Sequence, residues 1–286
     1  ERSRGLGDVY KRQGMHAASR EAIERLEKTL DQGLNETSDK VGTGVTTGTE
    51  LFDVVDLLDS DRGLRVALID PARGANTRAQ LAKSLLGGKV SASTEEIVSA
   101  AVSQTWSNTR DLRDGLVKLG RLALLRSADA QGQQDRVEEE LFQLARVIER
   151  EPELELKLAD RAASSDARRD LLAKVLYGKV TSTTEALALQ AIGRLRQRPV
   201  EELDSLTEEV AALEGRTVAR VRSAAALGEQ QKSTLSDKLE KIYGRKIAVH
   251  SEVDTSLLGG AVIRVGHEVI DGSTAGNLRR LRASIA

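Results

Sequence analysis

The chain has no cysteine, which excludes disulfides, zinc–thiolate centres and thiol nucleophiles. Aromatic residues make up only 2% of its 286 positions, so few platforms exist for stacking single-stranded nucleic acid. Excess charge is missing too. The 43 Lys and Arg against 44 Asp and Glu leave a net charge of −1, with no bulk pull towards nucleic acid or acidic lipid. No apolar run approaches the roughly 18 residues that span a bilayer. Membrane association is therefore expected through a partner, without direct insertion.

Reactive constellations are also lacking. His16, His250 and His267 lie far apart, none has a partner at helical ligand spacing, and each reads as a surface or turn histidine. Gly87-Gly88-Lys89-Val90 lacks the first glycine and the trailing hydroxyl of a phosphate loop, and reads as a helix stop. Gly259-Gly260 precedes a strand, the reverse of a dinucleotide fingerprint. Gly272-Ser273-Thr274 reads as a plain helix cap. No acid–base pair, nucleophile elbow or triad order stands out. The expectation is a non-enzyme with no cofactor, no metal and no nucleic-acid partner.

What the chain does have is Leu, Val, Ile and Ala at helical spacing, over a length that suits two or three domains. Residues 1–14 lack the apolar centre of a signal peptide, and the single Met of the chain, Met15, follows them. They read as a cloning or sequencing scar. Ala17, Ile23, Leu26, Leu30 and Leu34 predict a helix from His16 to Leu34. Asn35 to Thr49 reads as a polar linker.

An internal repeat comes next. With Glu50-Leu51-Phe52 set over Glu140-Leu141-Phe142 and the offset held, Leu64 falls on Leu154, Asp70 on Asp160 and Arg78 on Arg168. Gly88-Lys89-Val90 falls on Gly178-Lys179-Val180, and Thr94-Glu95 on Thr184-Glu185, without a gap. Each copy reads as several short helices. In the second, Asp135 to Arg150 is followed by a helix opened by Pro152, and Ser165-Asp166 caps Ala167 to Tyr177. A helix capped within Thr181 to Thr184 runs to Gln197, and Pro199 opens another to Leu213. In the first copy Ser93-Thr94 is the corresponding cap, and its last helix, Thr109 to Ser127, runs into the second copy. Glu138, Glu139 and Glu140 read as a solvated face.

From Gly215 the period changes from helical to alternating. A strand through Val218 and Val221 is followed by a helix from Leu227 to Tyr243, with Leu235, Leu239 and Ile242 as its core face and Gly244 as its stop. Ile247, Val249 and Val253 form a second strand, with Ala248 and His250 on its other face. Asp254 caps a short turn that Gly259 and Gly260 end, Ala261 to Val265 resume as a strand, and Gly266-His267 is a hairpin turn. A basic helix from Ala275 to Ser284 closes the chain. The fold class is mainly α: two tandem helical bundles (15–112 and 113–215) followed by a small α/β C-terminal domain (216–286).

The stretch Ile247 to Gly272 resembles the C-terminal signature of the δ subunit of F-type ATP synthases, called the oligomycin-sensitivity conferring protein in mitochondria. Ile247, Val249, Val253, Asp254, Leu257, Gly259, Gly260, Ala261, Ile263, Arg264 and Gly266 all match its pattern. Val269 to Ser273 and the Leu278-Arg279-Arg280-Leu281 helix are similar to that family as well. Arg121 to Ala130 and Ile192 to Leu213 resemble parts of its N-terminal six-helix bundle, so the likeness covers Asp114 to Ala286. Met15 to Arg113 departs from the single-bundle pattern as an extra, diverged copy, similar to the long chains of actinobacterial enzymes.

The resemblance implies a peripheral-stalk connector at the cytoplasmic face of the bacterial cell membrane. Its bundle would grip the amphipathic N-terminal helices of α subunits, and its C-terminal domain the distal end of subunit b. Docking a helix needs an apolar slot. The expected slot lies between Gly120 to Ala130, with Leu122, Leu124 and Leu125, and Thr184 to Leu195, with Leu187, Ile192 and Leu195. Arg279 and Arg280 are candidate contacts for an acidic partner helix. The other readings are a helical-repeat adaptor unrelated to ATP synthase and, more weakly, a small-ligand enzyme built on the α/β domain.

Overall fold

Leucine stripes at helical spacing form the first helices of the structure, a computed structural model that describes residues 17–285. The expectation for residues 1–14 and the start at Met15 fall outside the described residues. The chain divides into two compact units, one running to Gln134 and including Glu185–Gln190, the other made of Asp135–Thr184 and the chain from Ala191 onwards.

The first unit holds α1 (Ala17–Glu36), α2 (Lys40–Ser60), α3 (Arg62–Ile69), α4 (Ala75–Leu86), α5 (Ala92–Ser103) and α6 (Thr109–Ala130). Its core gathers Leu26 and Leu30 of α1, Leu51, Val55 and Leu58 of α2, Ile97 and Val102 of α5, and Leu112, Leu116 and Leu119 of α6, all almost fully buried. Each such side chain contributes about 1.5–3 kcal/mol of hydrophobic stabilisation. The predicted linker from Asn35 to Thr49 is corrected: from Lys40 onwards it is the first half of α2, capped by the Asp39 side chain on the Gly42 amide at 2.8 Å. Its glycines are contact points and not breakers. A Cβ on Gly44 would stand 2.9 Å from the Ala123 carbonyl oxygen, and one on Gly48 2.8 Å from that of Gly120. The missing side chains let α2 lie against α6 backbone to backbone.

The second unit begins with α7 (Gln134–Arg150), α8 (Pro152–Ala159) and α9 (Ser165–Leu176). The ends of α10 (Ser182–Gly193) follow, then α11 (Pro199–Leu213). Two helix limits differ from expectation. Ser164, and not Ser165-Asp166, caps α9, and α10 stops at Gly193 instead of reaching Gln197. In the first unit the α5 cap is Ser91, just ahead of the expected Ser93-Thr94.

The remainder is β1 (Arg216–Ser223), α12 (Glu229–Tyr243), β2 (Lys246–Val253), a single 3₁₀ turn at Thr255–Leu257, β3 (Ala261–Val265), β4 (Glu268–Asp271) and α13 (Thr274–Ile285). The sheet order is β2-β1-β3-β4. Because β1 and β2 pair in parallel, α12 is the crossover between them, whereas β3 and β4 are antiparallel neighbours joined by the Gly266 hairpin. Alternation assigns the faces. Ala219, Ile247 and Val265 pack with Leu239 of α12, while Val218 and Ala248 face Ala211 of α11. Ile242, expected in the core, is instead 67% exposed, and Tyr243 takes a partly buried place beside Leu239. The turn after β2 ends at Leu258, whose φ of 62° makes it the one non-glycine with positive φ among the described residues, and Gly260 follows at 72°.

Candidate partner-binding surfaces

The leucines expected to line a slot are placed in packed interior. Leu122, Leu124 and Leu125 of α6 and Leu187 of α10 belong to the first unit and are buried there. Leu124 lies over Gly48 of α2, where a Cβ would meet its Cγ at 2.6 Å. Arg121 Nε donates to Gln190 Oε1 at 2.9 Å along the same seam. Ile192 and Leu195 belong to the second unit; Ile192 is fully buried, and Leu195, beyond the end of α10, is half-buried.

The repeat is visible as chemistry in both copies. Glu50 of α2 accepts hydrogen bonds from the Ser91 amide at 3.0 Å, the Ser91 hydroxyl at 2.6 Å and the Thr94 hydroxyl at 2.5 Å. Glu140 of α7 accepts from the Thr181 amide and hydroxyl, both at 2.9 Å, and from the Thr184 hydroxyl at 2.6 Å. Burial raises both carboxyl pKa values, but these hydrogen bonds prevail and hold them below the ordinary range. Arg78 Nε donates to the Val102 carbonyl at 2.7 Å, and Arg168 Nη2 to the Gly193 carbonyl at 3.2 Å, so each pins the end of its copy's α5-type helix. Glu140 is thus no part of a solvated face.

Glu138 is not part of one either, whereas the Glu139 side chain stays 43% exposed. Glu138 is only 1% exposed, and its carboxylate meets His250 Nε2 at 2.6 Å and Arg216 Nη2 at 2.8 Å. Glu139 meets His250 Nδ1 at 2.6 Å. The expectation of a surface or turn histidine fails for His250, which is 6% exposed and stacks on Phe142 with centroids 5.0 Å apart. Burial lowers its pKa, but the two glutamates outweigh this and push it up to about 9. The hydrogen bond from His250 comes first among the causes that hold Glu139 below its ordinary value. The sequence signal was alternation alone, which put His250 on the face of Ala248.

At the C-terminal end, Val269 and Ile270 of the edge strand β4 and Leu278 and Leu281 of α13 are exposed, the last two at 49% and 57%. A three-residue spacing places Leu278 and Leu281 on one side of their helix. Arg280 Nη2 donates to the Asp271 carbonyl at 3.1 Å, and Arg279 Nη2 lies 3.6 Å from the Asp271 carboxylate. Both candidate arginines therefore already have an intramolecular partner. Among the described residues, no group of three or more His, Asp or Glu could hold a metal. A shallow trough of about 500 Å³ between α4 and α5 is lined by Ala79, Lys83, Ala92, Glu95, Ser99 and Ser103.

No helix among the described residues is long and apolar enough to cross a membrane. Residues 122–285 match the family described as "ATP synthase delta (OSCP) subunit". The chain is similar to "ATP synthase subunit delta" of Corynebacterium jeikeium, at 94% identity over 95% of this chain and 100% of that one. It is also similar to the proteins of the same name from Corynebacterium urealyticum, at 70%, and Corynebacterium diphtheriae, at 55%, each over 95% of this chain and 100% of the relative. The chain belongs to the ATP synthase delta (OSCP) subunit family, in its long actinobacterial form.

Proposed function

We propose that the chain is the connector of the peripheral stalk of an F-type ATP synthase, with no reaction of its own, at the cytoplasmic face of the bacterial membrane. Family membership is the observation that carries this reading: the family match spans residues 122–285, and it leaves the unrelated-adaptor alternative without support. The task is mechanical. A connector that resists torque lets proton flow through the rotor change the conformation of the head instead of spinning it.

In this reading the helical part grips the amphipathic N-terminal helices of α subunits. Leu122, Leu124, Leu125 and Leu187 of the first unit and Ile192 and Leu195 of the second remain the candidates for such a grip, and half-buried Leu195, beyond α10, is the most accessible of them. The C-terminal domain holds the distal end of subunit b. Its exposed Val269, Ile270, Leu278 and Leu281 support this, because apolar side chains left in water at an edge strand and helix are suited to a helical partner. Arg279 and Arg280 stand at the rim, where acidic partner side chains compete with Asp271. The test is size exclusion of the full chain with a synthetic α N-terminal peptide and with a soluble b fragment at moderate salt. Co-elution with each is expected, and failure of both would end the reading.

A further inference from the structure

Charged side chains from helices and sheet of the second unit meet along one face of β1 and β2. Arg216 and Arg220 of β1 share that face with His250 and Glu252 of β2, the pairing register setting Arg220 beside His250. From the helical side, α7 contributes Glu138, Glu139, Arg146 and Arg150, and α11 contributes Asp204. Arg146 Nη2 reaches Asp204 at 2.8 Å, and Arg220 Nη1 reaches the other Asp204 oxygen at 2.6 Å. Arg150 Nη2 reaches Glu252 at 3.2 Å. Arg216 Nη2 touches Asp135 at 2.6 Å as well as Glu138.

His250 sits at the centre with a specific requirement. Each ring nitrogen lies 2.6 Å from a carboxylate oxygen, one of Glu138 and one of Glu139. An ionised carboxylate only accepts, so both nitrogens must donate, and only the imidazolium has two N–H groups. A neutral ring would set a lone pair against one of the two glutamates. The remaining charged groups around it are Arg216 on Glu138, Lys232 of α12 acting on Glu139, Arg146 over Phe142 at 5.2 Å and 3.8 Å from Glu252, and Arg220 with Asp204 and Glu208. Gln143 donates to the far oxygen of Glu139 at 2.7 Å, and the Phe142 ring shields the histidine.

We propose that His250 is a cationic latch: by holding Glu138 and Glu139 together it fixes α7 to the sheet, so that the helices and the sheet domain of the second unit move as one body. The latch is a property of the free chain and does not depend on which partner each part carries. Its consequence is stiffness, because a join made of ion pairs on a buried face bends less than a linker of a few residues. His250 acts here as a positioning residue, with its effect exerted through the two glutamates.

The test uses the full chain with uniform nitrogen-15 labelling, whose three histidines leave few ring signals to assign, followed by NMR from pH 6 to pH 10. Both ring nitrogens of His250 are expected to be protonated at pH 7.5, and residual dipolar couplings from the helices and the sheet should fit one alignment tensor. In His250→Gln at the same pH two tensors should be needed. A neutral His250 at pH 7.5, or a single tensor surviving in the variant, would overturn the latch. Should His250→Gln not fold, Glu139→Gln removes the more exposed partner and should weaken the ring's hold on its proton about tenfold. An unchanged titration midpoint in that variant would also overturn it.

Discussion

Gly48 and Gly120 face each other across the crossing of α2 and α6: a Cβ on Gly48 would stand 2.8 Å from the Gly120 carbonyl oxygen, and one on Gly120 3.0 Å from that of Gly48. Neither carbonyl can yield without displacing a helix. An alanine at Gly48 gains about 1 kcal/mol of helix propensity but incurs roughly 1–3 kcal/mol of overpacking. With backbone as the obstacle the second effect wins. Gly48→Ala and Gly120→Ala should each destabilise the chain, by up to about 2 kcal/mol, in urea denaturation. Gly33, inside α1 with nothing within 4 Å of its missing Cβ, is the control, and Gly33→Ala should stabilise. Equal effects at Gly33 and Gly48 would refute the close-packing account of α2.

Glu50 and Glu140 should respond to mutation as a pair, because they accept equivalent hydrogen bonds in the two copies. Replacing either by Gln removes a charged acceptor from a helix cap and should cost about 1 kcal/mol. Both carboxyl pKa values are lowered in the folded chain. Their contribution is therefore complete above the unfolded-state value of about 4.3 and is lost as the pH falls through the folded value. Denaturation series from pH 7 to pH 3 on both Gln variants should show flatter acid dependence than the parent. A variant with the parent's slope would remove that glutamate from the account.

His250 predicts the opposite pH dependence. Its folded pKa of about 9 lies above the ordinary 6.5. The stability it supplies is present in full below pH 6.5 and is lost as the pH rises through 9. The loss could approach roughly 3 kcal/mol, at about 1.4 kcal/mol for each tenfold change in proton affinity. Thermal melts from pH 6 to pH 10 should decline over that window in the parent, and much less in His250→Gln.

At the C-terminal end, Leu278→Glu and Leu281→Glu place charge where the side chains are exposed, so folding should be unaffected within about 0.5 kcal/mol. Binding of the b fragment should weaken by at least about tenfold if these leucines lie at the centre of the contact. Calorimetric titration reads the affinity, and urea denaturation of the same preparation reads the stability. Unchanged affinity for b would move its site away from α13.

The sheet domain was legible in the sequence because its signals are local. Alternation from Arg216 to Ser223, the Gly266 hairpin and the Asp254 and Ser273 caps each depend on neighbours a few residues away. The repeat was legible too, and its matched Glu50–Glu140 and Thr94–Thr184 pairs already contained the two caps. The first half of α2 was not, since Gly44 and Gly48 count as breakers until α6 is known to lie against them. Nor was the setting of His250: its glutamates are more than a hundred positions earlier, and a period of two fixes a face without naming what covers it. The burial of Leu124 likewise depends on a glycine in another helix.

The central claim is that this chain joins the catalytic head to the membrane-held stalk. The direct measurement is attachment of purified head lacking its δ subunit to stripped membranes that retain b, followed by sedimentation with and without the chain. The account predicts that the head sediments with the membranes only when the chain is added, and that Leu278→Glu weakens this. A head that attaches equally well in its absence would contradict it.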